Sequence, residues 1–147
     1  MVKENFTIKS HDEAGTQLHC VEWRNVDKEP VGVIQLVHGM IEYIERYEEF
    51  AEYMTDHGFV VIGHDHIGHG HSLPKDDKEE LGVMHSKAPE VTMCKDMLSV
   101  YQYGKKKYPD IPYFILGHSM GSYMLRRFLS VYSEETKGLS GAIIVGT

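Results

Sequence analysis

Tyr113-Phe-Ile-Leu-Gly117-His118-Ser119-Met120-Gly121-Ser122-Tyr123-Met124-Leu125-Arg126-Arg127-Phe128 is the stretch that decides the fold. Tyr113 to Leu116 is a continuous apolar run of the length of a strand buried on both faces. Beyond the turn, Met120, Tyr123, Met124, Phe128 and Leu129 recur at helical spacing. A serine between such a strand and such a helix sits on a sharp, strained turn. The backbone can close that tightly only if the residues two before and two after lack side chains, here Gly117 and Gly121. The strain lifts the hydroxyl clear of the sheet, and the following helix offers unpaired N–H groups to a developing oxyanion. Gly-x-Ser-x-Gly alone is a weak pattern; set between these two elements it is a strong one. The bland alternative is a helix N-cap serine in a glycine-rich turn.

Working outward, Phe6 to Lys9 and Gln17 to Arg24 read as a hairpin turning at Asp12-Glu-Ala-Gly15. Val31 to Val37 is an apolar strand interrupted chiefly by Gln35, running into His38-Gly39-Met40. A helix is expected from about Glu45 to His57, stopped by Gly58. Phe59 to Gly63 is the next strand, ending in His64-Asp65-His66-Ile67-Gly68-His69-Gly70-His71-Ser72. Residues 73 to 90, with Pro74, Gly82 and Pro89, read as a long surface loop. Val91 to Tyr108 has helical periodicity, and Gly141 to Gly146 is a last buried-type strand. This alternation calls for an α/β fold, a mostly parallel sheet with helices on both faces. Chemistry in such sheets collects at the carboxyl ends of strands. His38-Gly39-Met40, the Asp65 to Ser72 loop and Ser119 all occupy that position.

The 147 residues make one domain or part of one. A net charge of −7 argues against a nucleic-acid surface. Lys105-Lys106-Lys107 reads as the solvated end of a helix. Cys20 and Cys94 form no Cys-x-x-Cys pattern, and no stretch has the length of a signal peptide or membrane span, so the expected location is cytoplasmic.

The motifs Leu36-Val-His-Gly-Met-Ile-Glu-Tyr-Ile-Glu-Arg-Tyr47, Asp65-His-Ile-Gly-His-Gly-His-Ser72 and Gly117-His-Ser-Met-Gly-Ser122 resemble the α/β-hydrolase family. Within it they resemble the branch of monoacylglycerol lipases, lysophospholipases and related serine hydrolases, across the whole chain. The resemblance implies Ser119 as nucleophile and the backbone N–H groups of Met40 and Met120 as the oxyanion hole. It implies structural roles beside them for His38, Gly39, Asp65, Gly68, Gly70, Gly117, His118 and Gly121. That branch usually has histidine where Tyr43 stands, at the rim of the acyl pocket. The implied reaction is acyl transfer from a small-molecule ester to serine, then hydrolysis, with no cofactor and no metal.

In this fold the triad follows the order serine, then Asp or Glu, then histidine. After Ser119 the sequence holds no aspartate and no histidine, and Glu134-Glu135 reads as a solvated helix end. The resemblance therefore implies a single incomplete domain over residues 1–147, stopping after the sixth strand, without the triad acid and base, the cap segment or the last strands. A catalytically inert hydrolase-fold fragment is the competing reading. Ala142-Ile-Ile-Val145 would then form an open apolar edge, so residues 141–146 are expected to pair with a missing C-terminal half or to self-associate. From another class, His64, His66, His69 and His71 form a cluster suited to zinc or nickel, an alternative to the hydrolase reading of that loop.

Overall fold

The computed structural model describes residues 1–73 and 78–147. Six strands form one sheet: β1 (Val2–Lys9), β2 (Gln17–Arg24), β3 (Gly32–Val37), β4 (Phe59–His64), β5 (Tyr113–His118) and β6 (Gly141–Val145). Their order across the sheet is β1-β2-β4-β3-β5-β6. The β1–β2 and β2–β4 pairs are antiparallel; β4–β3, β3–β5 and β5–β6 are parallel. The fold class expected from the alternation is the one observed.

Three helices cover the two faces: α1 (Glu48–Asp56), α2 (Pro89–Lys107) and α3 (Met120–Val131). Successive β3 side chains sort between them, as the period of two requires. Val33 and Val37 join the core under α2 and α3, with Met97, Val100, Leu125 and Phe128. Ile34 and Leu36 point the other way, to Trp23, Val61 and Ala51 of α1. Gln35 is fully buried on the α2 side, where its amide donates to the Met97 carbonyl (3.1 Å) and accepts from the Tyr113 hydroxyl (2.9 Å). With both ends of the amide partnered, a polar residue is tolerated in mid-strand.

Some boundaries differ from the sequence reading. β1 begins at Val2 rather than Phe6, because its whole length pairs with β2 out to Arg24. The helix expected from Glu45 starts as a 3-10 turn, Ile44–Tyr47, and becomes α-helical only at Glu48. The Ile44 N–H at its start donates to the Asp65 carboxylate (2.6 Å), which pins this first turn to the loop after β4. Pro89 is the first residue of α2, where its missing N–H costs nothing. The expected loop 73–90 contains a short 3-10 turn, Lys78–Glu80; its Pro74 lies outside the described residues.

Lys107 corrects the reading of the lysine triplet as solvated. Its ammonium lies 3.0 Å from both carboxylate oxygens of the fully buried Glu22. Arg24 Nη1 and the Tyr108 hydroxyl donate to the same carboxylate (2.7 and 2.9 Å). These donors supply the partners that a buried charge needs. Cys20 and Cys94 are buried free thiols, both pushed up by burial, to about 12 and about 11 respectively. No helix among the described residues is long and apolar enough to cross a membrane.

Candidate active site

Ser119 joins β5 to α3 with φ 53° and ψ −120°. A non-glycine residue in that region carries about 1–3 kcal/mol of strain, which persists only where neighbours over-determine it. The neighbours here are backbone. A Cβ on Gly117 would stand 2.5 Å from the Gly121 carbonyl oxygen, and one on Gly121 would collide with the Val37 and His38 carbonyls. The first turn of α3 is therefore pressed onto the end of β3, and the serine is forced outward. Ser119 is half-buried, not sealed. Its N–H donates to the Val145 carbonyl (2.9 Å), and its own carbonyl accepts from the Ser122 N–H (2.9 Å) and hydroxyl (2.6 Å). These bonds fix the backbone and leave Oγ uncommitted.

The loop after β3 lies against this turn. A Cβ on Gly39 would come 3.0 Å from Ser119 Cβ and 3.3 Å from the His118 carbonyl. Met40 follows, with an exposed side chain, and Ile41 is the other described non-glycine residue with positive φ, 57°. Positive-φ residues thus occur in both segments, Ile41 two residues beyond Gly39 and Ser119 at the turn itself. Met120 opens α3, where the first N–H groups have no intrahelical acceptor.

Glu42 ties the two segments together, a role the sequence did not disclose. One of its oxygens accepts from the Gly39 N–H (2.6 Å) and the Tyr47 hydroxyl (3.0 Å) and lies 3.1 Å from His118 Nδ1. Arg46 Nη1 stands 3.4 Å from the other oxygen. Burial pushes the Glu42 carboxyl up, but the bonds from His118, Gly39 and Tyr47 outweigh it and hold the group below the usual range. The only legible signal was a carboxylate three residues beyond Gly39. His118 is thereby drawn to Glu42. Tyr43 is exposed just before the 3-10 turn.

The loop after β4 braces the site from behind. Buried Asp65 accepts from the Ile44 N–H through one oxygen (2.6 Å) and from the His71 N–H through the other (2.7 Å). Gly70 passes so close that a side chain would strike this carboxylate, and Gly68 likewise meets the Val83 carbonyl. His38 is fully buried; its Nδ1 lies 2.8 Å from the Gly39 carbonyl, and its Nε2 accepts from the His66 N–H (3.1 Å). Burial, and secondarily His64 and His69, depress its pKa to about 3. A neutral ring with the proton on Nδ1 meets both bonds.

The four histidines of the 64–71 tract do not act as one group. His64, His66 and His69 are buried, whereas His71 turns outward and lies with His19, Glu45 and Asp65 in a cluster of metal-compatible geometry. His19 and Glu45 were not marked by the sequence as partners of this loop.

A sheet of this order, with a glycine-flanked serine turn leaving β5, defines an α/β-hydrolase fold. Residues 28–147 match the family described as Serine aminopeptidase, S33, and the chain belongs to that family. Mouse (Mus musculus) monoglyceride lipase is 31% identical over 131 residues, covering 89% of this chain and 39% of the relative. The human (Homo sapiens) monoglyceride lipase is 34% identical over 107 residues, covering 73% of this chain and 32% of the relative. Among solved structures, a thermostable carboxyl esterase from Bacillus coagulans superposes with a TM-score of 0.82 at 29% identity, covering 98% of this chain and 44% of that one. In sequence and fold the chain is esterase-like and monoglyceride-lipase-like, and it spans about two fifths of the length of the first of these relatives.

Proposed function

We propose that Ser119 is the nucleophile of a carboxylic ester hydrolase, acting on acylglycerol or lysophospholipid-type esters through an acyl-serine intermediate. The strained, half-exposed serine turn packed against Gly39 is the observation that carries this reading. The Met40 and Met120 N–H groups are the proposed donors to the tetrahedral oxyanion. Losing one such donor typically costs about 2.7–4 kcal/mol of transition-state stabilisation. Glu42 supports the first donor by holding the preceding amide, Gly39, in place. Oleophilic side chains beside the serine, Met40 and Met120, suit an acyl chain. The two buried free thiols fit a cytoplasmic setting.

The proposal assigns this chain a nucleophile and donors but no base. Among the described residues no histidine is hydrogen-bonded to Ser119 Oγ, and the sequence after Ser119 holds no Asp or His. The lack of a histidine bonded to Oγ among the described residues favours a second reading, a catalytically inert hydrolase-fold module. A fluorophosphonate probe separates the two. Covalent labelling that disappears in Ser119→Ala supports an activated nucleophile; no labelling of the folded wild-type chain supports the inert module.

The open edge of the sheet carries a related proposal. Among the described residues β6 pairs only with β5, and Ile143, Ile144 and Val145 are each 40–43% exposed. We infer that residues 141–146 pair with another strand, from a C-terminal segment or from a second copy. Light scattering of the chain at rising concentration should show dimers or larger species that Ile144→Lys suppresses. A strictly monomeric wild type would defeat the self-association arm.

A further inference from the structure

His19, Glu45, Asp65 and His71 each bring one ligating atom to a common space, all four lying within 4.8 Å of one another. None takes part in the ester chemistry proposed above. They arrive from three places: β2, the 3-10 turn before α1, and the loop after β4. The antiparallel β2–β4 register explains the meeting. It sets Cys20 opposite His64, and the Asp65 N–H donates to the His19 carbonyl (2.8 Å), so the two chain segments leave the sheet side by side.

The donor atoms are only partly reconciled with one another. Glu45 Oε1 lies 2.7 Å from His19 Nε2, but its Oε2 is buried without a hydrogen-bond partner. That oxygen is 3.8 Å from His71 Nδ1, and the same nitrogen is 3.8 Å from Asp65 Oδ2. Asp65 is already oriented by the amides of Ile44 and His71, the kind of outer support that fixes a ligand's plane. Two carboxylates therefore face each other across two imidazoles, with no lysine or arginine among the described residues at ion-pair distance from either, an arrangement that a small cation completes. The His71 side chain is 69% exposed while the other three are 0–16% exposed, so the cluster opens to solvent on one side.

We propose that these four residues form a zinc site that ties the loop carrying Met40 to β2 and to the loop after β4. Two imidazole nitrogens and two carboxylate oxygens are a donor set that zinc accepts. Bonds of about 2.0–2.2 Å in a tetrahedron place donors about 3.3–3.6 Å apart. The His19–Glu45 separation of 2.7 Å is shorter than that and the His71 separations of 3.8 Å are longer, so loading parts the first pair by about 0.6–0.9 Å while rotation of the exposed His71 ring brings its nitrogen in. The ion's role is to stiffen: Glu45 stands on the same loop as Met40, so loading the site restrains a proposed oxyanion donor.

The test is a titration of the tag-free, chelator-treated chain with Zn²⁺ by calorimetry, with Co²⁺ absorption as a second readout. The expected result is one equivalent bound, a tetrahedral-type cobalt spectrum, and a rise in Tm of at least about 5 °C at a zinc concentration 100 times Kd. Glu45→Gln and His71→Ala should each weaken binding 10-fold or more. His85→Ala should not, because its ring pairs with Glu80 away from the cluster. His71 is exposed enough for its variant to keep the fold, which circular dichroism verifies. Absence of binding at micromolar zinc, or equal binding by wild type and both ligand variants, overturns the proposal.

Discussion

Two sets of histidines stand within a few residues of each other at the carboxyl ends of β3 and β4, and the chain uses them in opposite ways. His38, His64, His66 and His69 are sealed, with ring centroids 4.1 Å apart for His38–His66 and 5.0 Å for His64–His66. Among the described residues no carboxylate hydrogen-bonds to any of their rings, the nearest being Asp65 Oδ1 at 3.9 Å from His38 Nε2, and burial holds His38, His64 and His66 well below the ordinary imidazole range. Of these, His38 and His66 pin the loop carrying Met40 to the loop carrying Asp65, through the His66 N–H on His38 Nε2 and the His66 ring on the His38 carbonyl. His69 bonds within its own loop, and neither His64 ring nitrogen has a hydrogen-bond partner among the described residues. His19 and His71 sit at the rim beside Glu45 and Asp65. The residue type is the same; a place at the rim between two carboxylates, rather than enclosure among other rings, separates the proposed ligands from the spacers.

The largest way to break this contrast is acid. A histidine kept neutral in the fold but protonated from pH 6.5 downward when unfolded has a depressed folded pKa. Its contribution to stability is complete above pH 6.5 and is lost as pH falls toward the folded value, about 3 for His38. Such a group removes up to about 1.4 kcal/mol per pH unit over that range, and His64 and His66, displaced in the same direction by burial, add to the loss. Against a typical total of about 5–15 kcal/mol, the chain should lose a substantial part of its stability between about pH 6.5 and 4. Asp65 and Asp96, both raised above 3.8 chiefly by burial, act in the opposite sense and blunt only the acid end of that window. Urea midpoints measured from pH 7.5 down to 5 should fall steadily below 6.5. A flat profile would mean that the interior rings titrate in the folded state.

Much of the architecture was readable because it rests on local rules. Period-two and helical apolar patterns located the sheet and its helices, and Gly117 and Gly121 announced a turn whose close backbone contacts no other residue would fit. The three loops that meet around Ser119 were placed by a topological rule, that strand carboxyl ends share an edge. Side-chain partnerships were not legible. His118 finds Glu42 across 76 residues, Lys107 finds Glu22 across 85, and His19 finds Glu45 across 26. Each depends on strand register and helix rotation, which composition and spacing leave open. The tract His64 to His71 misled for the same reason: its regular spacing suggested one face, but Gly68 and Gly70, both at positive φ, bend the chain and send His71 outward.

Paired substitutions sharpen the comparison at its smaller end. His38→Ala removes a ring bonded to the Gly39 carbonyl and to the His66 N–H, leaving two buried backbone groups without partners as well as a cavity. Unmet buried groups cost about 1–3 kcal/mol each, so a loss of about 3–4 kcal/mol is expected by urea denaturation at pH 7.5. His71→Ala, in a chelator-containing buffer, should change stability by no more than about 0.5 kcal/mol, because its Asp65 bond is made by the backbone N–H, which the substitution keeps. Adding zinc should then stabilise the wild type and leave His71→Ala nearly unmoved, so that the gap between them opens only when the ion is present. If His71→Ala instead matched His38→Ala in metal-free buffer, the rim ring would be structural and the division between the two sets would be wrong.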